Sequence, residues 1–159
     1  MEELKLNLVH YSEKPLDKIF SVRQPVASPK PIGLWVSVEG GDDGWRQWCE
    51  AEKFELSRLA VKTEIVLAVG AKILHLESEG DIDAATLKYA ITNTAPEEIK
   101  FYSFFMDWDA IAKSFDGVII APYCWERRLC PSARWYYGWD CASGCIWNAG
   151  AIDRLLAHE

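Results

Sequence analysis

Three stretches of this chain carry residue types able to do chemistry. An apolar run from Leu4 to Val9 ends in His10-Tyr11-Ser12. Further on stands Gly33-Leu34-Trp35-Val36-Ser37. Near the end, the segment from Arg134 to Asn148 sets the acidic residue Asp140 inside a dense aromatic run. His and Tyr can each donate and accept a hydrogen bond. Two strand-like runs carrying them side by side would wall a cleft for a flat, polar small molecule. His10 admits two readings: a partly buried ring satisfied by backbone, or a ring nitrogen on a ligand hydroxyl. Asp140 is either a turn or cap residue, or a carboxylate whose pKa is perturbed by apolar surroundings, as at many functional sites.

The cysteines bear on two further chemistries. Five is an odd number and fits a disulfide framework poorly. Cys141 and Cys145 have a spacing seen in structural zinc sites, whereas Cys124 and Cys130 do not. Buried free thiols are the preferred reading, and no metal is expected. A Cys nucleophile with His10 or His75 has no local signature. No carboxylate pair stands out as in glycoside hydrolysis. Neither Gly-x-Gly-x-x-Gly nor a Walker A loop is present, so the two common phosphate loops are absent.

The elements that must position these residues follow from periodicity. Leu4 to His10 alternates and reads as a strand. Pro15 to Ile19 reads as a turn or short helix, and Gln24 to Pro31 as an extended loop. Ile32 to Val38 is a second strand. After the turn Gly40 to Gly44, Trp45 to Glu55 reads as a helix with Trp45, Trp48 and Cys49 on one face and Asp42 or Asp43 as its cap. Ala60 to Val69 and Lys72 to Leu76 read as strands, with Val61, Thr63, Ile65 and Leu67 on one face. Asp81 to Tyr89 reads as a helix with Asp81 as a candidate N-cap. A short helix from Asp107 to Ala112 leads through Asp116-Gly117 into the strand Val118 to Ala121. Pro122 to Tyr137 reads as a long irregular loop. Cys141 to Trp147 is β-like, and Ala151 to His158 is a short terminal piece. This order favours α+β over a doubly wound sheet.

At 159 residues the chain fits a single domain, 1–159, and at 50% apolar residues it can bury a core. A net charge of −7 argues against strong duplex DNA binding, though a few Arg residues could hold nucleic acid locally. No apolar run reaches the length of a membrane span, and the N-terminus lacks the pattern of a signal peptide. A cytoplasmic location with reduced thiols is the expectation. Each of the eight Trp residues is either core or a stacking surface for a planar ligand. Trp139 and Trp147 lie in the most unusual local context.

Taken in order, these motifs resemble the ADP-ribosyltransferase superfamily, in its His-Tyr-Glu branch. Leu8-Val9-His10-Tyr11-Ser12 is similar to the family's first motif. Gly33-Leu34-Trp35-Val36-Ser37 is similar to the second, with Trp35 where Tyr is more usual. Phe115-Asp116-Gly117-Val118-Ile119-Ile120 matches the family's late strand. Aligning the final strand puts Ser143 where the catalytic Glu is expected, and Asp140 is the nearby carboxylate. The chain also looks like small phage and bacterial proteins that share Gly-Leu-Trp-x-Ser, a Trp-Cys-Glu helix and Trp-Asp-Cys-Ala-Ser-Gly-Cys.

The resemblance implies a split, mixed and antiparallel sheet with flanking helices. It also implies transfer of ADP-ribose from NAD⁺, as substrate, to a protein or nucleic-acid acceptor. In that reading His10 holds the ribose hydroxyls and the Gly33 backbone holds the nicotinamide amide. Trp35 or Tyr11 stacks on the nicotinamide, and Asp140 is the catalytic carboxylate. Ser12, Leu34, Ser37 and Ser143 complete the NAD⁺ site, and Arg134, Arg127 or Arg128 meets the pyrophosphate. The alternatives are a nucleotide-binding module without chemistry, and a protein that binds and inhibits a host factor.

Overall fold

The computed structural model describes residues 6–91 and 104–158, so the start of the run beginning at Leu4 lies outside the described residues. The architecture is α+β. Seven strands form one mixed sheet: β1 (Asn7–Ser12), β2 (Leu34–Glu39), β3 (Val61–Leu67), β4 (Ile73–Leu76), β5 (Gly117–Ile120), β6 (Ser143–Ile146) and β7 (Ile152–His158). Their order is β4-β5-β6-β2-β1-β3-β7. Every pairing is antiparallel except β4 with β5. A parallel pair needs a long crossover. Here the connection carries α2 (Glu79–Tyr89) and α3 (Trp108–Ala112). The remaining α-helix among the described residues, α1 (Trp45–Glu52), follows β2. No helix among the described residues is long and apolar enough to cross a membrane.

The split sheet expected from the resemblance is not found. β1 and β2 are joined by the register pairs Asn7–Glu39, Leu8–Val38 and Val9–Ser37, and the sheet is continuous through them. Beyond Val9–Ser37 the two strands part. β1 stays paired with β3 as far as Ser12–Val61, and β2 stays paired with β6 as far as Leu34–Ile146. The opening between them is where the first two sequence motifs face each other.

Several local expectations are corrected. α2 begins at Glu79, and its cap is Ser78, whose Oγ accepts from the Asp81 N–H at 3.1 Å. Asp81 sits in the first turn and its carboxylate accepts from the Glu77 N–H at 2.9 Å. The two side chains thus satisfy one N–H in the first turn and one just before the cap. α1 ends at Glu52 rather than Glu55, because Lys53 and Glu55 both take positive φ, 54° and 39°. The terminal piece is a seven-residue edge strand, β7, paired along β3. Its Leu155-Leu156 pair broke the alternation that would have marked it. The loop after Pro122 contains 3₁₀ turns at Trp125–Arg127 and Pro131–Gly138.

The core is aromatic as well as aliphatic. Trp108, Trp135, Tyr136 and Trp139 are fully buried with Ile82, Ile111, Ile119 and Ile120. The indoles meet edge to face: Trp35 with Trp139 at 5.0 Å, Trp139 with Trp135 at 6.3 Å, Trp135 with Trp108 at 6.0 Å and Trp108 with Trp147 at 6.3 Å. Such pairs add about 0.5–1.5 kcal/mol each beyond area burial. Their N–H groups are partnered within the protein at Trp108 (Ser28 carbonyl, 2.9 Å), Trp135 (Thr86 Oγ1, 2.8 Å) and Trp147 (Phe115 carbonyl, 2.9 Å). Trp147 is therefore core.

Asp116 ties the strand ends together. Its carboxylate accepts from the Lys72 N–H at 2.9 Å and from Asn148 Nδ2 at 2.7 Å, so the residue before Gly117 joins β4, β5 and the end of β6.

Candidate cleft between the first two strands

A cleft of about 400 Å³ opens beside the point where β1 and β2 part. That is within the range of small-molecule sites, about 300–1,000 Å³. It is lined by Val9, His10 and Tyr11 from β1 and by Trp35, Val36 and Ser37 from β2. Lys30, Pro31, Trp45, Arg58, Gly138, Trp139, Asp140, Cys141 and Ser143 complete it. Register explains part of this wall. Val9 lies opposite Ser37, and Ser37 opposite Ser143, so the three form a row across β1, β2 and β6 on one face.

Of the residues singled out in the sequence, His10, Tyr11, Trp35, Ser37, Asp140 and Ser143 come together here. Ser12, Gly33, Leu34 and Arg134 do not line the cleft. Ser12 donates its hydroxyl to the Lys14 carbonyl at 2.7 Å. Leu34 packs on the core. Gly33 stands where β2 meets β6, and an added Cβ would lie 2.5 Å from the Ile146 carbonyl oxygen. Close backbone approach demands glycine there.

The polar groups of the cleft have specific partners. His10 Nδ1 lies 2.6 Å from the Trp35 carbonyl oxygen, which can only accept, so Nδ1 carries a proton and donates. The imidazole thus bridges the opening between the strands. In its neutral form Nε2 is the acceptor. Tyr11 donates its hydroxyl to Glu39 Oε1. Burial pushes the Tyr11 phenol above its ordinary range, and the Glu39 carboxylate adds to that. Ser37 is buried, and its Oγ accepts from the Trp45 N–H at 2.8 Å. A strand hydroxyl therefore caps α1. Asp43, one of the expected caps, instead accepts from the Tyr123 N–H at 3.0 Å. Ser143 donates to the Cys141 carbonyl at 3.0 Å.

Asp140 is held by Arg128, whose Nη2 lies 3.1 Å from Asp140 Oδ1. Arg128 Nη1 also donates to the Tyr123 hydroxyl at 3.2 Å, and Tyr123 donates in turn to the Trp139 carbonyl. The guanidinium stands 5.5 Å from the Tyr137 ring centre. Arg127 forms a fork with Asp83, both contacts at 2.9 Å. Arg127 and Arg128 are therefore engaged by carboxylates, and neither they nor Arg134 lines the cleft. The cations that do line it are Lys30 and Arg58, neither of which the motifs indicated. Arg58 pairs with Glu55 at 2.9 Å.

The thiols are poorly suited to nucleophilic work. Burial pushes Cys141 up to about 12, and also raises Cys49, Cys124 and Cys145. A thiol held protonated is a poor nucleophile. Cys130 alone is lowered, by the Ser132 hydroxyl, and it lies outside the cleft. His75 contacts the Ala121 carbonyl at 3.0 Å and Glu77 at 3.0 Å. Among the described residues no group of three or more His, Cys, Asp and Glu gathers as a metal site. No family model, curated protein or solved structure matches the chain.

Proposed function

We propose that the cleft binds NAD⁺ through its nicotinamide-ribose end and that the chain is an ADP-ribosyltransferase-like protein. The observation that carries this reading is the meeting of His10, Tyr11, Trp35, Ser37, Asp140 and Ser143 in one cleft. These residues come from three separate motifs with long stretches of chain between them. The parting of β1 and β2 beyond Val9–Ser37 adds support, since it opens a slot between the two motif strands.

The residues present fit the ligand. His10 donates through Nδ1 to the backbone, which leaves Nε2 to accept from a ribose hydroxyl. Trp35 offers an aromatic face for the nicotinamide ring, and Arg58 stands in the lining as a cation that would have to exchange Glu55 for phosphate oxygens. At about 400 Å³ the cleft takes one end of the dinucleotide and leaves the other outside.

In the proposed reaction the bond between ribose C1′ and the nicotinamide nitrogen breaks, and its electron pair leaves with nicotinamide. An acceptor nucleophile then bonds to C1′ and gives up its proton. Asp140 is the carboxylate in the lining that can balance charge on the ribose. Nicotinamide release, measured on the full chain with a melting-temperature scan, tests this. The expected result is an NAD⁺-dependent rise in melting temperature and release of nicotinamide that His10→Ala abolishes. No shift and no release sinks the reading.

A second reading, binding without turnover, is favoured by one arrangement. Ser143 occupies the position aligned with the missing Glu, and Arg128 holds the Asp140 carboxylate in an ion pair. In that case NAD⁺ raises the melting temperature and no nicotinamide appears.

A further inference from the structure

Lys30 is the cation of the cleft with no carboxylate partner among the described residues; its ammonium sits 5.4 Å from the centre of the Trp35 ring. The placement is built into the loop. Gln24 is buried, and its side-chain amide closes the loop by donating to the Ile32 carbonyl at 2.6 Å and accepting from the Ile32 N–H at 3.0 Å. Ser28 pairs with Met106 through both backbone groups, at 2.9 and 3.3 Å, and its carbonyl accepts from Trp108 Nε1 at 2.9 Å. The backbone around Lys30 is therefore pinned at both ends. Its stem passes Gly138, where an added Cβ would stand 2.9 Å from Lys30 Cε. Glycine at 138 leaves the track open.

An indole face attracts a cation through its quadrupole, whatever carries the charge. We propose that Lys30 is an internal competitor for the Trp35 face, and that the ligand that displaces it is a cationic aromatic ring of the pyridinium class. The inference rests on the reading of the cleft as a site for NAD⁺, whose nicotinamide is such a ring, and it adds selection of the charged ring and a residue that opposes its entry. A pyridinium regains at Trp35 the contact that Lys30 gives up. A neutral ring displaces the same ammonium and regains less, so the pair favours the charged form. Removing the ammonium uncovers the ring and removes a like charge from beside the bound cation.

The test uses 1-methylnicotinamide, a cation without phosphate, so that no contact from Lys30 to a diphosphate confuses the result. Neutral nicotinamide is the comparison, and binding is measured by calorimetry on the full chain. Lys30 is exposed, so Lys30→Met keeps the stem without threatening the fold. Wild type is expected to bind the cation more tightly than the neutral amide. Lys30→Met is expected to tighten the cation about 2- to 5-fold, the equivalent of one exposed cation–π contact, and Lys30→Arg to leave it near wild type. The proposal is overturned if Lys30→Met binds the cation no more tightly than wild type, if the neutral amide binds as tightly as the cation, or if neither binds. A parallel melting scan with NAD⁺ separates the two ideas. An NAD⁺ shift with no Lys30→Met effect keeps the dinucleotide reading and overturns the role of Lys30. Tightened binding of 1-methylnicotinamide with no NAD⁺ shift does the reverse.

Discussion

Ser37→Ala removes one oxygen from a site where structure and ligand binding make different demands. Ser37 is 3% exposed, and its Oγ accepts from the Trp45 N–H at 2.8 Å. That N–H belongs to the first turn of α1, which has no side-chain cap of its own because Gly44 stands at the N-cap position. A side chain at Gly44 would not replace the bond easily, since its Cβ would lie 3.1 Å from Ser37 Oγ and 3.2 Å from the Val38 carbonyl. Losing a helix cap costs about 0.5–2 kcal/mol, and orphaning a buried donor about 1–3 kcal/mol. The two describe the same lost bond, so the expected loss is about 1–2 kcal/mol.

For a chain of this size that corresponds to a fall of about 2–8 °C in melting temperature. Urea unfolding should show a lower midpoint with an unchanged slope, because the surface exposed on unfolding is the same. Hydrogen exchange should locate the damage at the Trp45 amide and the first turn of α1. A stability loss below about 0.3 kcal/mol refutes the capping argument, since an ordinary surface substitution lies within about 0.5 kcal/mol. If stability is unchanged while NAD⁺ binding is lost, Ser37 acts on ligand and not on α1.

Two further outcomes follow from the same packing. The Cys141 thiol, at about 12 when folded, lies above its unfolded value of about 8.5. The folded state therefore keeps a proton that the unfolded state releases, and stability present below about pH 8.5 falls as pH rises toward about 12, by up to about 1.4 kcal/mol per pH unit for one proton. Cys141→Ala should make the alkaline decline in urea melts shallower by one thiol's share, the other buried thiols keeping theirs, and an unchanged decline refutes the assignment. Arg128→Met should cost about 1–3 kcal/mol, because its ion pair with Asp140 is mostly covered and its guanidinium also donates to the buried Tyr123 hydroxyl. If Asp140 works on the ribose, the same variant should cut nicotinamide release about 10- to 100-fold through misplacement, and an unchanged rate removes Arg128 from the positioning of that carboxylate.

The strands were legible where alternation reflects one buried face. In β3, Val61, Thr63 and Ile65 are all buried as the pattern required, until a shift in register between Val66 and Leu67. β7 was illegible because it is an edge strand whose side chains are mostly half-buried or exposed, so no face imposes a period of two. The cap of α1 was illegible for another reason: it comes from Ser37, eight residues earlier on a strand. Capping rules read only the residues beside a helix. The cleft was partly legible, because motif strands carry their own side chains to it. Lys30 was not, because its place depends on a loop fixed by distant contacts such as those from Ser28 to Met106, and Arg58 was not, because it sits in the short 3₁₀ turn Leu56–Leu59.

The cleft also shows how much of a motif is spent on architecture before any ligand arrives. Ser37 caps a helix, Ser143 bonds the Cys141 carbonyl, Tyr11 donates to Glu39, and His10 gives Nδ1 to the Trp35 carbonyl. A buried polar group without a partner is costly, so the bonds of the buried Ser37 and Ser143 follow from burial, whereas those of the half-buried His10 and Tyr11 do not follow from it alone. What the wall still offers a ligand is the acceptor nitrogen of a neutral His10, the Trp35 ring and the charge of Lys30, because Arg58 and Asp140 already have ion-pair partners and Trp45 is stacked on Trp48. On the proposed reading, such a set selects a flat ring and its charge more than a pattern of many hydrogen bonds. That favours selection by cation–π contact and shape, and it makes the charge of the ring, not its substituents, the first variable to change in a ligand series.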